Sequence, residues 1–242
     1  AELLGSVGGA AAVTALCRLL SDRSAEVRVV AARSLGRVAD PGAAAPLLEA
    51  MQSGRPVPPM VVAQSLLRLG PAAAPTLTGA LTSSNAATRM VSAQILGLLG
   101  AAAAAPALTR LVADDPDPLA RLSAVRALGR IGMPSGAGVL TAATAPHEDD
   151  ALRAAAAAAL GELGPQSVPV LAGLLADPVH QVAHNAAGAL CGLGETGLAA
   201  LRLNALGAYG GSTQAHAAEA LALAVLRDPA LRSAVLPEPV AA

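Results

Sequence analysis

The sequence predicts an all-α fold, an array of stacked helix pairs, and three observations carry that expectation. The stretch Val125-Arg126-Ala127-Leu128-Gly129-Arg130-Ile131-Gly132 recurs along the chain as Leu-Gly, one free position, an aliphatic residue and Gly. It returns at Leu4-Gly5-Ser6-Val7-Gly8, Leu96-Gly97-Leu98-Leu99-Gly100 and Leu160-Gly161-Glu162-Leu163-Gly164, with degenerate copies at Leu35, Leu66, Leu190 and Leu221. The anchor leucines therefore stand at 4, 35, 66, 96, 128, 160, 190 and 221, a period of 30–32 residues. Near-constant periods in this range mark stacked repeats, each of which buries its apolar face against its neighbours. Composition agrees, because Phe and Trp are absent and Tyr209 is the only aromatic residue, so the core is built from Leu, Val, Ile and Ala. Ala is the best helix former and lets helices approach closely. Finally, no alternating Val/Ile/Thr run asks for a strand.

The anchors divide a single array spanning 1–242 into about seven helix pairs. Residues 1–9 read as the tail of a truncated repeat. Repeats follow at 10–42, 43–72, 73–102, 103–135, 136–166, 167–197 and 198–229, and then a tail, 230–242. The chain begins without Met and inside a repeat, so it is expected to be a piece of something longer. Pro46, Pro75, Pro106 and Pro169 fall in the first turn of the first helix, where a missing N–H costs no intrahelical bond. The Gly four residues after the anchor (Gly70, Gly100, Gly132, Gly164, Gly194) suits a left-handed C-terminal cap.

On the second helix, the positions seven, four and three before the anchor share its buried face. Three before stand Ala32, Ala63, Ala93, Val125, Ala157, Ala187 and Ala218, small enough for a close neighbour. Seven before stand Arg28, Arg89, Arg121 and Arg153, interrupted by Pro59, Ala183 and Gln214. A mostly buried Arg needs a counter-charge. Asp22, Asp115 and Asp177, each thirteen before its anchor, are the expected partners, within a repeat or between neighbours.

These residues resemble the HEAT repeat, nearest its short bacterial form: Pro in the first helix, Asp about eight residues on, an aliphatic-Arg pair, then an Ala-rich run to Leu-Gly. Repeats 10–42 (Asp22, Val27-Arg28, Leu35-Gly36) and 103–135 (Pro106, Asp115, Arg121, Leu128-Gly129) match best. The resemblance implies a right-handed α-solenoid, with first helices on the convex side, second helices on the concave side, and an Asp–Arg ladder between repeats. Repeat 43–72 departs from it with Ser53 and Pro59, and repeat 198–229 with Ala208 and Gln214.

On the outer face of the second helices, two before, two after and five before the anchor, the first four repeats carry Arg33, Arg37 and Val30; Gln64, Arg68 and Val61; Gln94, Leu98 and Val91; Arg126, Arg130 and Ser123. Bordering a Val column with Arg and Gln is expected to make a groove for an acidic or amphipathic protein segment, Arg forking onto carboxylates. In the later repeats Ala158, Glu162, Gly188, Gly192 and Glu219 take these places. Charge follows the same division, from twelve Arg against eight acids in 1–135 to four against nine in 136–242.

The expected function is thus a non-catalytic, monomeric protein-binding scaffold without cofactor, metal or membrane span. All sixteen Arg/Lys positions are Arg, which fits a GC-rich bacterial coding bias. Cys17 and Cys191 are expected to remain unpaired thiols, which favours the cytoplasm. Nucleic acid is disfavoured by a net charge of −1 and a single aromatic side chain. The alternative is an enzyme or lyase-like accessory protein, metal-dependent or resembling the relatives that attach bilin pigments. It would use His180, His184 and His216 or the acidic loops Asp114-Asp115-Pro116-Asp117 and His147-Glu148-Asp149-Asp150. Histidines at i and i+4 can share a metal. Helical-repeat hydroxylases hold iron through His-Glu pairs on helices, whereas His147-Glu148 is expected in a loop.

Overall fold

The computed structural model describes residues 9–206 and 211–231. The Leu4–Gly8 copy of the signature, Tyr209, Ala208 and most of the 230–242 tail lie outside the described residues. By packing, the chain falls into two compact parts, Ala1–Ala127 and Leu128–Ala242, each described by itself. Among the described residues all regular structure is helical.

In the N-terminal part the helix pairs are α1 (Ala10–Leu19) with α2 (Ala25–Val38), α3 (Ala44–Gln52) with α4 (Pro59–Leu69), and α5 (Ala74–Ala80) with α6 (Ala86–Leu98). α7 (Ala105–Asp114) and α8 (Pro118–Ile131) follow. The C-terminal part pairs α9 (Ala137–Ala142) with α10 (Asp150–Gly161), α11 (Val168–Leu174) with α12 (His180–Gly192), and α13 (Gly194–Leu206) with α14 (Ser212–Arg227). A short 3-10 turn opens repeats 43–72 to 167–197, and Pro75, Pro106 and Pro169 sit within the first two residues of the helix that follows. The last repeat departs from its expected bounds, since α13 starts at Gly194 with no such turn.

Each repeat folds around two leucines. The anchors Leu35, Leu66, Leu96, Leu128, Leu160, Leu190 and Leu221 are all buried. Facing them from the first helices is a second column, Leu16, Leu47, Leu77, Leu108, Leu140, Leu171 and Leu201, each fully inaccessible. Burying one such side chain stabilises by about 1.5–3 kcal/mol, so the two columns supply much of the cohesion. The small column is buried from Ala32 to Ala187 as expected, but Ala218 is exposed. On α14 the inward face is instead Ala217, Ala220, Leu221 and Ala224.

The Gly after the anchor marks where second helices touch. A Cβ built on Gly36 would lie 2.8 Å from the Ser65 Cα, one on Gly97 2.6 Å from the Ala127 Cα, and one on Gly129 2.9 Å from the Ala159 Cα. Gly161 meets the Ala189 Cβ at 2.6 Å. Repeat 43–72 has Leu67 in this place, 40% exposed, and α4 makes a sparser contact with α6 than with α2. A branched side chain where backbones should meet holds the helices apart.

Gly70, Gly100, Gly132, Gly164 and Gly194 all take positive φ, between 61° and 105°, as expected of the cap, but at Gly70 and Gly164 ψ is −163° and −172°, so these two leave the helix extended rather than in a left-handed cap. In repeat 10–42 that place falls to Ala39, the one described non-Gly residue with positive φ, at 57°. A left-handed Ala costs about 1–2 kcal/mol. Ala39→Gly is therefore expected to stabilise the N-terminal part by about 1 kcal/mol, read as a higher urea midpoint.

Candidate functional site: the outer face and edges of the second helices

Four of the second helices carry their ladder Arg at the fourth residue: Arg28 in α2, Arg89 in α6, Arg121 in α8 and Arg153 in α10. In α4 the equivalent residue, Pro59, opens the helix instead, because Pro lacks the donor that an interior position needs. Where the ladder is complete, Arg joins its own repeat to the next. Arg89 gives Nη1 to the carbonyls of Ser83 and Ser84, at 2.8 and 3.2 Å. Its other edge grips Asp115 twice, Nε to Oδ2 at 2.6 Å and Nη2 to Oδ1 at 2.8 Å. Arg153 likewise pairs with Asp177 through Nη2 and donates from Nε to the Thr144 carbonyl at 3.4 Å. Arg121 donates Nε to the Val112 carbonyl at 2.8 Å.

These pairs run between repeats. Each Asp also accepts from the backbone two residues on, Asp115 from Asp117 and Asp177 from Val179, both at 2.9 Å. Burial pushes the Asp115 carboxyl up, but hydrogen bonds from Arg89 and Asp117, with the charges of Arg89 and Arg121, outweigh it and hold it below the usual carboxylate range. Of the two pairings left open, the one within a repeat does not form between Asp22 and Arg28. Asp22 accepts only from its own loop, Ser24 N–H at 2.8 Å, and Arg28 touches the Asp22 main-chain carbonyl rather than the carboxylate. In the register of the complete pairs, the partner for Arg28 would come from the next repeat, where Ser53 stands.

The polar members of the expected groove are exposed: Arg33, Arg37, Gln64, Arg68, Gln94, Arg126 and Arg130. Among the described residues none of these arginines makes an ion pair. The apolar column is corrected. Val61 is 9% and Val91 2% accessible, and Val30 is half-buried. Five before the anchor lies on the seam between neighbouring second helices, so packing takes the valines and leaves a polar, Arg/Gln face.

The C-terminal part presents a different surface. Gly188, Gly192 and Ala187 leave room on α12, and a cavity of about 300 Å³ opens there between α12 and α14, lined by His184, Cys191, His216, Glu219 and Leu223 among others. On its rim the three histidines come together. His180 Nδ1 lies 3.0 Å from His216 Nε2, and the His180 ring is 5.8 Å from that of His184. The His216 Nδ1 sits 3.3 Å from the Leu175 carbonyl, within reach to donate to it. Among the described residues no three His, Cys, Asp or Glu side chains converge as for a metal ion. The acidic loops cap helices: Asp117 accepts from Ala120 N–H at 2.9 Å, and Asp149 from Ala151 and Leu152. Both cysteines are free and half-buried. Burial pushes both thiols up, reinforced at Cys17 by Asp40 and Glu49 and partly offset at Cys191 by Arg227. Nothing in the sequence marks the cavity, because Gly and Ala announce space only after the helices are placed.

Recurrent helix pairs, with second helices packed on second helices around a leucine column, define an α-solenoid. A family model for HEAT repeats matches residues 1–67, 55–129 and 113–191, well over half of the sequence. The chain belongs to the HEAT-repeat family, whose repeats typically bind proteins. No curated protein matches it. Among solved structures it is similar to the complex of CpcE and CpcF of phycocyanin lyase from Nostoc sp. PCC7120, at 24% identity and TM-score 0.51, over 93% of this chain and 94% of that one. It is also similar to a Kap121p mutant, at 13% identity and TM-score 0.58, over 92% of this chain and 32% of that one. At these identities both show the fold alone. Among the described residues no helix is long and apolar enough to cross a membrane.

Proposed function

We propose that the protein is a non-catalytic scaffold that captures an acidic segment of a partner protein on the second helices of its N-terminal part. One observation carries the reading: Arg33, Arg37, Arg68 and Arg126 are exposed and none has a carboxylate within the described chain, while the buried Arg89 and Arg153 are held in the ladder. An exposed guanidinium fork is a ready donor to carboxylates, and Arg is favoured where contacts carry binding energy. The solved relative with CpcE and CpcF is a complex of two proteins, which supports a chain of this fold acting by binding another.

Replacing Arg33, Arg68 and Arg126 together by Glu is expected to abolish partner capture while leaving far-UV circular dichroism unchanged. Capture at wild-type affinity would place the site elsewhere. A second reading, ligand or metal chemistry on the C-terminal part, is favoured by the cavity beside His184 and His216. Stoichiometric zinc or iron in the purified protein, lost on His180→Ala or His216→Ala, would reverse the order of the two.

A further inference from the structure

We propose that the Nε/Nη2 edge of Arg28, where repeat 10–42 meets repeat 43–72, binds a carboxylate supplied from outside the chain.

The chain contains its own template for this site. Arg28 and Arg89 hold their loops in the same way, Nη1 donating to the carbonyls six and five residues back: Asp22 and Arg23 at 2.9 and 3.2 Å, Ser83 and Ser84 at 2.8 and 3.2 Å. That shared grip fixes the guanidinium plane and aims its remaining edge at the following repeat. In Arg89 the edge takes both oxygens of Asp115. In Arg28, which is 8% accessible, Nε is buried with no hydrogen-bond partner, while Nη2 makes no bond among the described residues and keeps contact with solvent, so the edge is reached from the Nη2 side.

The loop of the following repeat has no acid to give, and the one acid of that repeat, Glu49, lies in α3 on the side of Cys17. The loop reads Gln52-Ser53-Gly54-Arg55, and each candidate partner is turned away. The Ser53 hydroxyl donates to the Ala50 carbonyl at 3.2 Å, Gln52 reaches forward to Thr88 Oγ1 at 2.9 Å, and Arg55 adds a second positive charge. Leaving a buried charged donor unsatisfied costs more than a neutral one, so the edge gains from any planar oxyanion that reproduces the Asp115 grip. A carboxylate fits because its two oxygens match the Nε and Nη2 spacing; one point anion satisfies a single donor. The ligand is a small free acid or the Asp or Glu side chain of a bound chain. Neither depends on the Arg33–Arg126 row being the partner surface.

The test is to follow the Arg side-chain Nε–H resonances by ¹⁵N NMR, titrating sodium acetate against sodium chloride at equal ionic strength. A parallel titration uses a blocked Gly-Asp-Gly peptide. The Arg28 signal is expected to move toward that of Arg89 and saturate, while Arg89 stays in place. Movement with acetate assigns the site to small acids as well, and movement with the peptide alone assigns it to a side chain. In Ser53→Asp the signal is expected near that of Arg89 with no ligand, the titration response is lost, and Tm rises by about 2–4 °C. Ser53→Ala, which adds no charge, is expected to keep the response. An Arg28 signal unmoved by either titrant, or an acetate response surviving in Ser53→Asp, would overturn the proposal.

Discussion

Asp115→Ala is expected to destabilise the N-terminal part by about 3–5 kcal/mol, the cost of leaving a buried ion without its partner. The side chains of Arg89 and Asp115 are only 11% and 3% accessible. Arg89 cannot swing out to water without giving up the Ser83 and Ser84 carbonyls that close its own loop. Removing both charges together, as in Arg89→Met with Asp115→Leu, is expected to cost less than Asp115→Ala alone, because nothing charged then stays buried. Urea unfolding reads both, and a loss below about 1 kcal/mol would mean that the pair is as well solvated as a surface ion pair. The acid side of the pH profile gives an independent check. Asp115 is held below its unfolded value, near 3.9. Its contribution is therefore complete above that value and is lost as pH falls through the lower folded value. The stability gap between wild type and Asp115→Asn should stay constant from pH 5 to about 7 and narrow only below pH 4.

Gly97→Val is expected to cost about 3 kcal/mol, at the upper end of overpacking. Its Cβ would lie 2.6 Å from the Ala127 Cα and 2.8 Å from the Ala127 Cβ, atoms that move only if a whole helix does. The opposite sign is expected at Gly188, also within a helix but with nothing inside 4 Å of its Cβ. There Gly188→Ala should stabilise by about 1 kcal/mol, the ordinary helix-propensity gain. Equal effects at the two positions, measured by thermal unfolding, would remove the close contact of second helices as the reason for the Leu-Gly signature.

The periodic part of the molecule was legible because helix pairing repeats in the sequence. Leu35, Leu96, Leu128 and Leu160 are each buried as the period requires, and the residues four on, Ala39, Gly100, Gly132 and Gly164, each have positive φ. The candidate face was legible only in part. Charged side chains announce exposure, so Arg33, Arg68 and Arg126 fell on the outside as expected. Val61 and Val91 did not, because a helical wheel places five-before-the-anchor on the rim and cannot tell whether a neighbouring helix covers it. The histidines were visible as His180 and His184 at i and i+4, but their meeting with His216 at 3.0 Å depends on the packing of two repeats.

By itself the sequence determined the fold class, the column of anchor leucines and the glycines of positive φ that follow them, all of which follow from local spacing and backbone preference. Only the tertiary structure decided that the ladder runs from one repeat's Arg to the next repeat's Asp, that Arg28 is left without a carboxylate, and that space opens beside Gly188 and Gly192. Those depend on which side chains two separately formed helix pairs bring within a few ångströms, and no spacing along one chain records that distance.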